Sequence, residues 1–289
     1  SYSVTGVQTC ALPICFKGNL LTAALVLSAV GAGMGWLVFF SGNFTADFWV
    51  AEAYPFLSAY TNPHFPLTLG LILCLLSEFS GQGLQQRPSW KFTLLGLAAA
   101  TLFLAIISPF GIVIVLMVSG VRLVWRLLVE IYKNPGQIRP RLQSLSLFLA
   151  DEHKIDLQIF SLVLAFGLPV LVYDWLIAKV HPVLATWNAQ NLTPSPPAWD
   201  VLISFSPVIV LALVGLFTRR REFSERPDTL VSWLVSSLVL MYLPWGLQRR
   251  FMIGLYVPAV GLGLIGLQSL AHRYQISFRF LYAVLLLLS

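Results

Sequence analysis

Two consecutive arginines, Arg249 and Arg250, are the residues of this sequence best suited to bind a charged ligand. They lie between two apolar runs, in the stretch LPWGLQRRFM of residues 243–252. The planar guanidinium group can bind a phosphate through two parallel hydrogen bonds. It is equally suited to a buried ion pair or to anchoring at an anionic lipid surface. Three roles are therefore open: phosphate capture, lipid anchoring, and an ion pair with a carboxylate such as Asp47, Glu52 or Asp174.

Three more polar residues could share a site with the arginines. Asp47 and Glu52 lie in an aromatic segment, and we expect them to act as supporting catalytic residues. His64 follows Asn62 and Pro63, which are suited to the cap and the first position of a helix. Because a helix N-terminus attracts anions, we expect His64 to bind substrate together with the arginines. The alternatives are solvated carboxylates in an aromatic belt and a histidine bonded to a backbone carbonyl.

The sequence carries no other pattern typical of catalysis. It has no Gly-rich phosphate loop, no nucleophile elbow and no His/Cys/Asp cluster with metal-ligand spacing. No metal-ligand residues are predicted and no organic cofactor is expected, although a divalent metal is left open. Cys74 is the one cysteine that follows the first fifteen residues, which excludes a disulfide framework there.

The composition is that of a membrane protein. Hydrophobic residues make up 57% of the chain and charged residues 10%, against about 45–50% and about 25% in soluble domains. The net charge of +6 is scattered in short clusters between apolar runs, as in cytoplasmic loops of membrane proteins. We therefore expect membrane lipid as a partner and no nucleic acid.

Apolar runs of about 20 residues are long enough to cross a bilayer. Counting them predicts an all-α, polytopic membrane protein with about eight transmembrane helices and the start of a ninth. The lysines and arginines of the loops then lie on one side, taken as cytoplasmic. Only Lys179, Arg249 and Arg250 of the eighteen fall on the outer side. The predicted spans are 20–40, 63–79, 92–107, 110–128, 157–177, 201–217, 230–245, 251–270 and 280 onward.

The two ends of the chain do not look like native termini. Residues 4–14, VTGVQTCALPI, resemble a translated sequencing adapter, and we exclude residues 1–15 from the fold as an adapter-derived artefact. The last residues stop inside an apolar run. We expect residues 16–289 to form a single transmembrane domain, as a fragment truncated at both ends. In its first span the small residues GAGMGW, 31–36, favour close helix packing.

Several short motifs carry a family resemblance. They are GAGMGW (31–36), an aromatic segment with Glu52, NPHF (62–65), SPF (108–110), SPPAW (195–199) and QRRF (248–251). Together they resemble the middle and C-terminal part of bacterial multi-pass proteins related to GT-C glycosyltransferases. The resemblance implies transfer of a sugar from a polyprenyl-phosphate donor to an unidentified acceptor, at the outer face of the bacterial cytoplasmic membrane.

The same resemblance implies that the main catalytic base is missing. Members of this class carry a principal catalytic aspartate in the first outer loop, and this sequence has no match to that loop. A flippase or polymerase of lipid-linked saccharides and a non-catalytic membrane scaffold remain as alternative functions. An acidic motif just after a first span of the parent protein would favour the transferase.

Overall fold

The computed structural model describes residues 16, 18–78, 90–133, 154–218, 228–244 and 246–289. Across these ranges the chain is helical and contains no strand, which confirms the all-α prediction. The adapter-like residues 4–14 lie outside the described part of the chain. The chain divides into two compact units, one formed by residues up to Gly70 with Ala189–Ser289 and the other by Leu71–Asn188.

Fourteen helices are described, joined mostly by short turns. They are α1 (Asn19–Val30), α2 (Trp36–Phe39), α3 (Ala46–Trp49), α4 (Pro55–Thr61), α5 (His64–Ser77), α6 (Trp90–Ile107), α7 (Pro109–Lys133), α8 (Lys154–Val180), α9 (Pro182–Gln190), α10 (Ala198–Ser204), α11 (Val208–Thr218), α12 (Asp228–Leu240), α13 (Tyr256–Tyr274) and α14 (Phe278–Leu288). A 3₁₀ helix, Gln248–Met252, precedes α13 and carries the two arginines.

Helix α13 forms the centre of the first unit. Its residues from Tyr256 to Leu267 are all buried, and it packs against α1, α11, α12 and α14. Glycines bring its backbone against that of α11, since a methyl group on Gly266 would overlap the carbonyl oxygen of Leu211. A methyl group on Gly215 would likewise overlap that of Leu262. Small residues of this kind allow two helix backbones to approach closely.

The second unit is built on three helices, α6, α7 and α8, each of which contacts the other two. Ile112 of α7 is fully buried and lies against Gly167 of α8, where an added Cβ would come within 2.8 Å of it. The side chain of Arg122 is also fully buried in α7. It lies near the end of the predicted span 110–128.

Three segments are long and apolar enough to cross a membrane: Pro109–Arg126, Leu157–Val180 and Gln248–Tyr274. A fourth is added if α10 and α11, which are bent by 90°, form one span. By their length and composition these segments indicate a membrane protein. The third one is 94% buried inside the protein, as expected for a helix surrounded by others.

The prediction of eight spans is not met. Five further apolar helices have only 10–17 residues, fewer than the roughly 20 that a bilayer needs. The predicted span 201–217 is broken at Pro207, which lacks the amide hydrogen that a continuous helix would use. The predicted span 20–40 is also interrupted, because α1 ends at Val30 and Gly31 is extended. Apolar runs in the sequence therefore overcount the helices of spanning length.

The glycines of residues 31–36 allow close packing, but not within a helix as predicted. A Cβ on Gly33 would overlap the backbone carbonyl group of Ser204, the last residue of α10. A Cβ on Gly35 would overlap the side chains of Thr45 and Asp47. The glycines thus let a non-helical segment run directly against α10 and the start of α3.

Candidate functional site: an arginine pair on one carboxylate

The two arginines lie in a turn that a neighbouring loop holds in place. After α12 the chain turns and enters the 3₁₀ helix with Gln248. Thr193 donates its backbone N–H to the Gly246 carbonyl at 2.8 Å, and its own carbonyl accepts from the Arg249 N–H at 2.9 Å. The Gln248 side chain accepts from the Ser195 N–H at 3.3 Å. These bonds fix the backbone from which both arginine side chains extend.

Both arginines pair with the same carboxylate oxygen. Arg249 Nε donates to Glu52 Oε1 at 3.1 Å, and Arg250 Nη1 lies 3.6 Å from that atom. The Glu52 side chain is only 3% exposed, whereas those of Arg249 and Arg250 are 25% and 31% exposed. Of the three roles considered from the sequence, the ion pair with Glu52 is therefore present. It is compatible with ligand binding as well, because the arginines remain accessible.

An aromatic ring lies beside each guanidinium group. Arg249 Cζ is 5.3 Å from the centroid of the Trp49 ring, and Arg250 Cζ is 5.4 Å from that of Phe65. Cations are attracted to the faces of aromatic rings at such distances. Each arginine is thus positioned by one carboxylate and one ring, which limits its rotation.

The cluster of Glu52, Arg249 and Arg250, which we call the arginine site, has an excess of one positive charge. Two guanidinium groups contribute +2 and one carboxylate contributes −1 to the formal charge. Among the described residues, Arg249 uses only its Nε–H on Glu52, so its two Nη groups can still donate. The arginine site can therefore accept one anionic group without losing its internal ion pair.

His64 lies at the edge of the arginine site. Its side chain is exposed, and its ring packs on Phe65 with a centroid distance of 4.2 Å and an interplanar angle of 56°. The same Phe65 ring faces Arg250. The helix begins one residue later than predicted, at His64 rather than Pro63. Asn62 is the C-cap of α4 instead of the N-cap of α5. Phe65 thus brings His64 and Arg250 to one ring.

Both carboxylate oxygens of Asp47 accept hydrogen bonds from nearby residues of the chain. Its Oδ2 accepts from the Gly35 N–H at 2.9 Å, and its Oδ1 accepts from the Thr45 hydroxyl at 2.7 Å. The carboxylate therefore joins the glycine segment to the start of α3. In the described chain the Glu52 carboxylate pairs with the two arginines instead, so the two carboxylates have different hydrogen-bonding partners.

A buried polar cluster next to Asp47 was not recognised from the sequence. Asp200 is 5% exposed, and its Oδ1 accepts from the Ala46 N–H and from the Ser204 hydroxyl, both at 2.8 Å. Tyr54 donates its hydroxyl hydrogen to the Ser204 carbonyl at 2.5 Å. Burial raises the pKa of Tyr54 well above its ordinary value, and the negative charge of Asp47 adds to this. The sequence signal that could have indicated this cluster is the spacing of Asp200 and Ser204, which puts the two side chains one helical turn apart.

No family model, no curated protein and no solved structure matches this chain.

Within the described residues, no group of three or more His, Cys, Asp or Glu side chains could hold a metal ion. Lys179, which was predicted on the same outer side as the arginine pair, belongs to the other unit and lies 3.9 Å above the ring of Trp175. The arginine site is the place where the structure brings most of the predicted site residues together.

Proposed function

We propose that this chain is part of a GT-C-like membrane glycosyltransferase that uses a polyprenyl-phosphate-linked sugar as donor. The observation that carries the proposal is the arginine site, with two partly exposed arginines on one carboxylate and an excess charge of +1. A sugar phosphodiester carries a single negative charge, which complements that excess. Arg249 and Arg250 bind the phosphate, and His64 contributes a hydrogen-bonding group at the edge.

Membrane helices around the arginine site support a lipid-linked ligand. The arginines begin the apolar segment Gln248–Tyr274. The chain around Glu52 exposes the aromatic side chains of Phe48, Trp49 and Phe56. Aromatic residues of this kind are common at the headgroup level of a bilayer. We place the arginine site at the outer face of a bacterial cytoplasmic membrane, in a multi-pass protein.

Glu52 has a supporting role in this proposal, and no residue of the described chain is assigned as catalytic base. Its Oε1 is engaged by both arginines, so it orients them rather than accepting a proton from the acceptor. Asp47 is engaged by Gly35 and Thr45. The family resemblance assigns the principal base to an outer loop that has no match in this sequence.

Binding of a polyprenyl monophosphate to the purified chain in lipid nanodiscs tests the phosphate role. Arg249→Lys and Arg250→Lys keep the charge but lose the planar fork, so each should weaken binding roughly tenfold, or about 1.4 kcal/mol. The uncharged polyprenol should bind wild type and variants equally. Arg273→Lys is a matched control, because Arg273 is exposed near the other end of α13. Unchanged phosphate binding in the double alanine variant would reject the assignment.

A flippase or polymerase of lipid-linked saccharides would need the same phosphate contact, so binding alone does not separate these functions. Proteoliposomes with a radiolabelled polyprenyl-phosphate sugar and the full-length parent protein do. The transferase releases polyprenyl phosphate as the sugar moves to an acceptor. A flippase moves the intact lipid between leaflets, and a scaffold does neither.

A further inference from the structure

A cavity of about 750 Å³ opens between α1 and α14, in the same unit as the arginine site but lined by none of its residues. Ligand pockets in proteins commonly have volumes of about 300–1,000 Å³. Its polar lining comes from the first turns of the two helices and the residue before α14. These polar residues are Asn19, Thr22, Ser277 and Arg279.

Helices α1 and α14 run side by side in the same direction, and the cavity lies at their N-terminal ends. Next to the cavity, the Tyr282 hydroxyl of α14 donates to the Ala23 carbonyl of α1 at 3.0 Å. Beyond the end of α1 the Trp36 indole N–H donates to the Leu288 carbonyl, at the end of α14, at 3.2 Å. On α1 the polar lining residues precede Ala23 and Val26. On α14 the lining also includes Phe278, whose ring stacks on that of Tyr282. The cavity therefore has its polar groups at one end and an apolar wall of Ala23, Val26 and the two rings.

The surroundings of the cavity are cationic and apolar. Arg279 is exposed, and no described residue forms an ion pair with it. No Asp or Glu occurs between residues 16 and 46 or between 229 and 289 of the sequence. Helix α14, whose first turns line the cavity, exposes Phe280 (62%) and, near its far end, Leu287 (86%). A ligand here must therefore suit one uncompensated arginine at one end and a lipid-like environment at the other.

We propose that this cavity binds an anionic phospholipid. The lipid phosphate pairs with the Arg279 guanidinium group, and Asn19 and Ser277 supply further hydrogen bonds. Its acyl chain follows Val26 and Tyr282 toward the exposed apolar side of α14. Arginine binds phosphate oxygens through two parallel hydrogen bonds, and the apolar wall favours a lipid over a soluble phosphate. The inference does not depend on the function proposed for the arginine site.

Retention of lipid by the purified, delipidated protein tests this assignment, with native mass spectrometry as the readout. Dioleoylphosphatidylglycerol should be retained in preference to dioleoylphosphatidylcholine. Arg279→Gln should lower retention of phosphatidylglycerol about tenfold, as expected from loss of a charge-assisted hydrogen bond. Arg273→Gln is the matched control, since Arg273 is exposed nearby but does not line the cavity. It should leave retention unchanged.

A second variant tests the same proposal in case Arg279→Gln folds poorly. Val26 is 40% exposed, so Val26→Trp can fill the apolar part of the cavity and should displace the lipid while Arg279 stays in place. Thermal unfolding checks that both variants are folded. Equal retention of phosphatidylglycerol by wild type and both variants would overturn the proposal. So would efficient competition by glycerol 3-phosphate, which lacks acyl chains and would reveal a soluble-phosphate site.

Discussion

Arg249 and Glu52 are 197 residues apart in the sequence, yet Arg249 Nε donates to Glu52 Oε1 at 3.1 Å. Arg250 approaches the same oxygen, so one nearly buried carboxylate holds two arginines. The backbone strengthens the link, since the Gly254 N–H donates to the Glu52 carbonyl at 3.2 Å. The turn before α4 and the start of the segment leading into α13 are thereby joined at one point.

Replacing Glu52 with Gln should destabilise the protein. The substitution leaves two guanidinium groups side by side without a counter-charge, and a hydrogen bond to a charged group is worth about 1.5–3 kcal/mol. We expect a loss of that size, reduced because the arginines are partly exposed. Thermal unfolding in detergent measures it.

Added salt separates electrostatic repulsion from loss of packing in Glu52→Gln. Chloride screens the two arginines from each other, so the stability difference from wild type should shrink as salt is raised. Asp174→Asn is the control, as Asp174 belongs to the other unit. A Glu52→Gln protein as stable as wild type at low salt would show that the ion pair contributes nothing to the fold.

Gly33→Ala should prevent normal folding of the first unit. The new Cβ would overlap the Ser204 backbone, which cannot rotate away as a side chain can. We expect a loss of at least about 2–3 kcal/mol, at the upper end of what overpacking costs. The measurement is the fraction of monodisperse protein after purification together with the melting temperature.

Gly70→Ala is the matched control for this substitution. Gly70 lies inside α5, and a Cβ there would meet no atom within 4 Å. Alanine at an open helical position gains about 0.5–1 kcal/mol over glycine. We therefore expect Gly33→Ala to lower the stability of the protein and Gly70→Ala to raise it. A well-folded Gly33→Ala protein would mean that the segment after α1 does not run against α10.

The sequence predicts the helical class correctly and directs attention to Arg249 and Arg250, but it does not select their carboxylate partner. Composition and periodicity are local signals, so they identify apolar helices well. Glu52 was one of three carboxylates considered, and only the tertiary fold could select it. The count of spans was wrong for a related reason, because Gly31 and Pro207 break apolar runs without changing their hydropathy.

Tyr54→Phe should destabilise the protein at neutral pH by about 0.5–1.5 kcal/mol, through loss of one hydrogen bond. The Ser204 carbonyl would lose the hydroxyl that it accepts from in the wild type. Thermal unfolding measures the change. Tyr60→Phe is the control, because Tyr60 is 84% exposed, and it should have little effect.

The same tyrosine should make wild-type stability depend on alkaline pH. Burial, with the nearby charge of Asp47, raises the pKa of Tyr54 in the folded protein. The unfolded chain releases this proton near pH 10, and the folded protein does so only at higher pH. Stability from this group is therefore complete below about pH 10 and is lost as pH rises further. The difference in unfolding free energy between wild type and Tyr54→Phe should decrease from pH 9 to 11. A constant difference would contradict a buried, neutral Tyr54.

The sidedness of α13 depends on whether the short helix α12 crosses the membrane. Helix α12 has 13 residues, about 20 Å of helix against a hydrocarbon core of about 30 Å. The apolar residues Met241, Tyr242 and Leu243 follow it directly and can complete a crossing. If it crosses together with the α10–α11 pair and the segment Gln248–Tyr274, the two ends of this region lie on opposite sides. Without that crossing they lie on the same side.

Single cysteines at Asn191 and His272, in a chain whose own cysteines are replaced by serine, distinguish the two topologies. Both positions are exposed, and they flank the region in question. The positive-inside bias predicts that Arg273 and Arg279 lie on the cytoplasmic side. An impermeant thiol reagent added to intact cells is therefore expected to label Asn191→Cys only. His272→Cys should react after permeabilisation. Labelling of both in intact cells would show that α12 does not cross, whereas labelling of His272→Cys alone would reverse the orientation and put the arginine site on the cytoplasmic side.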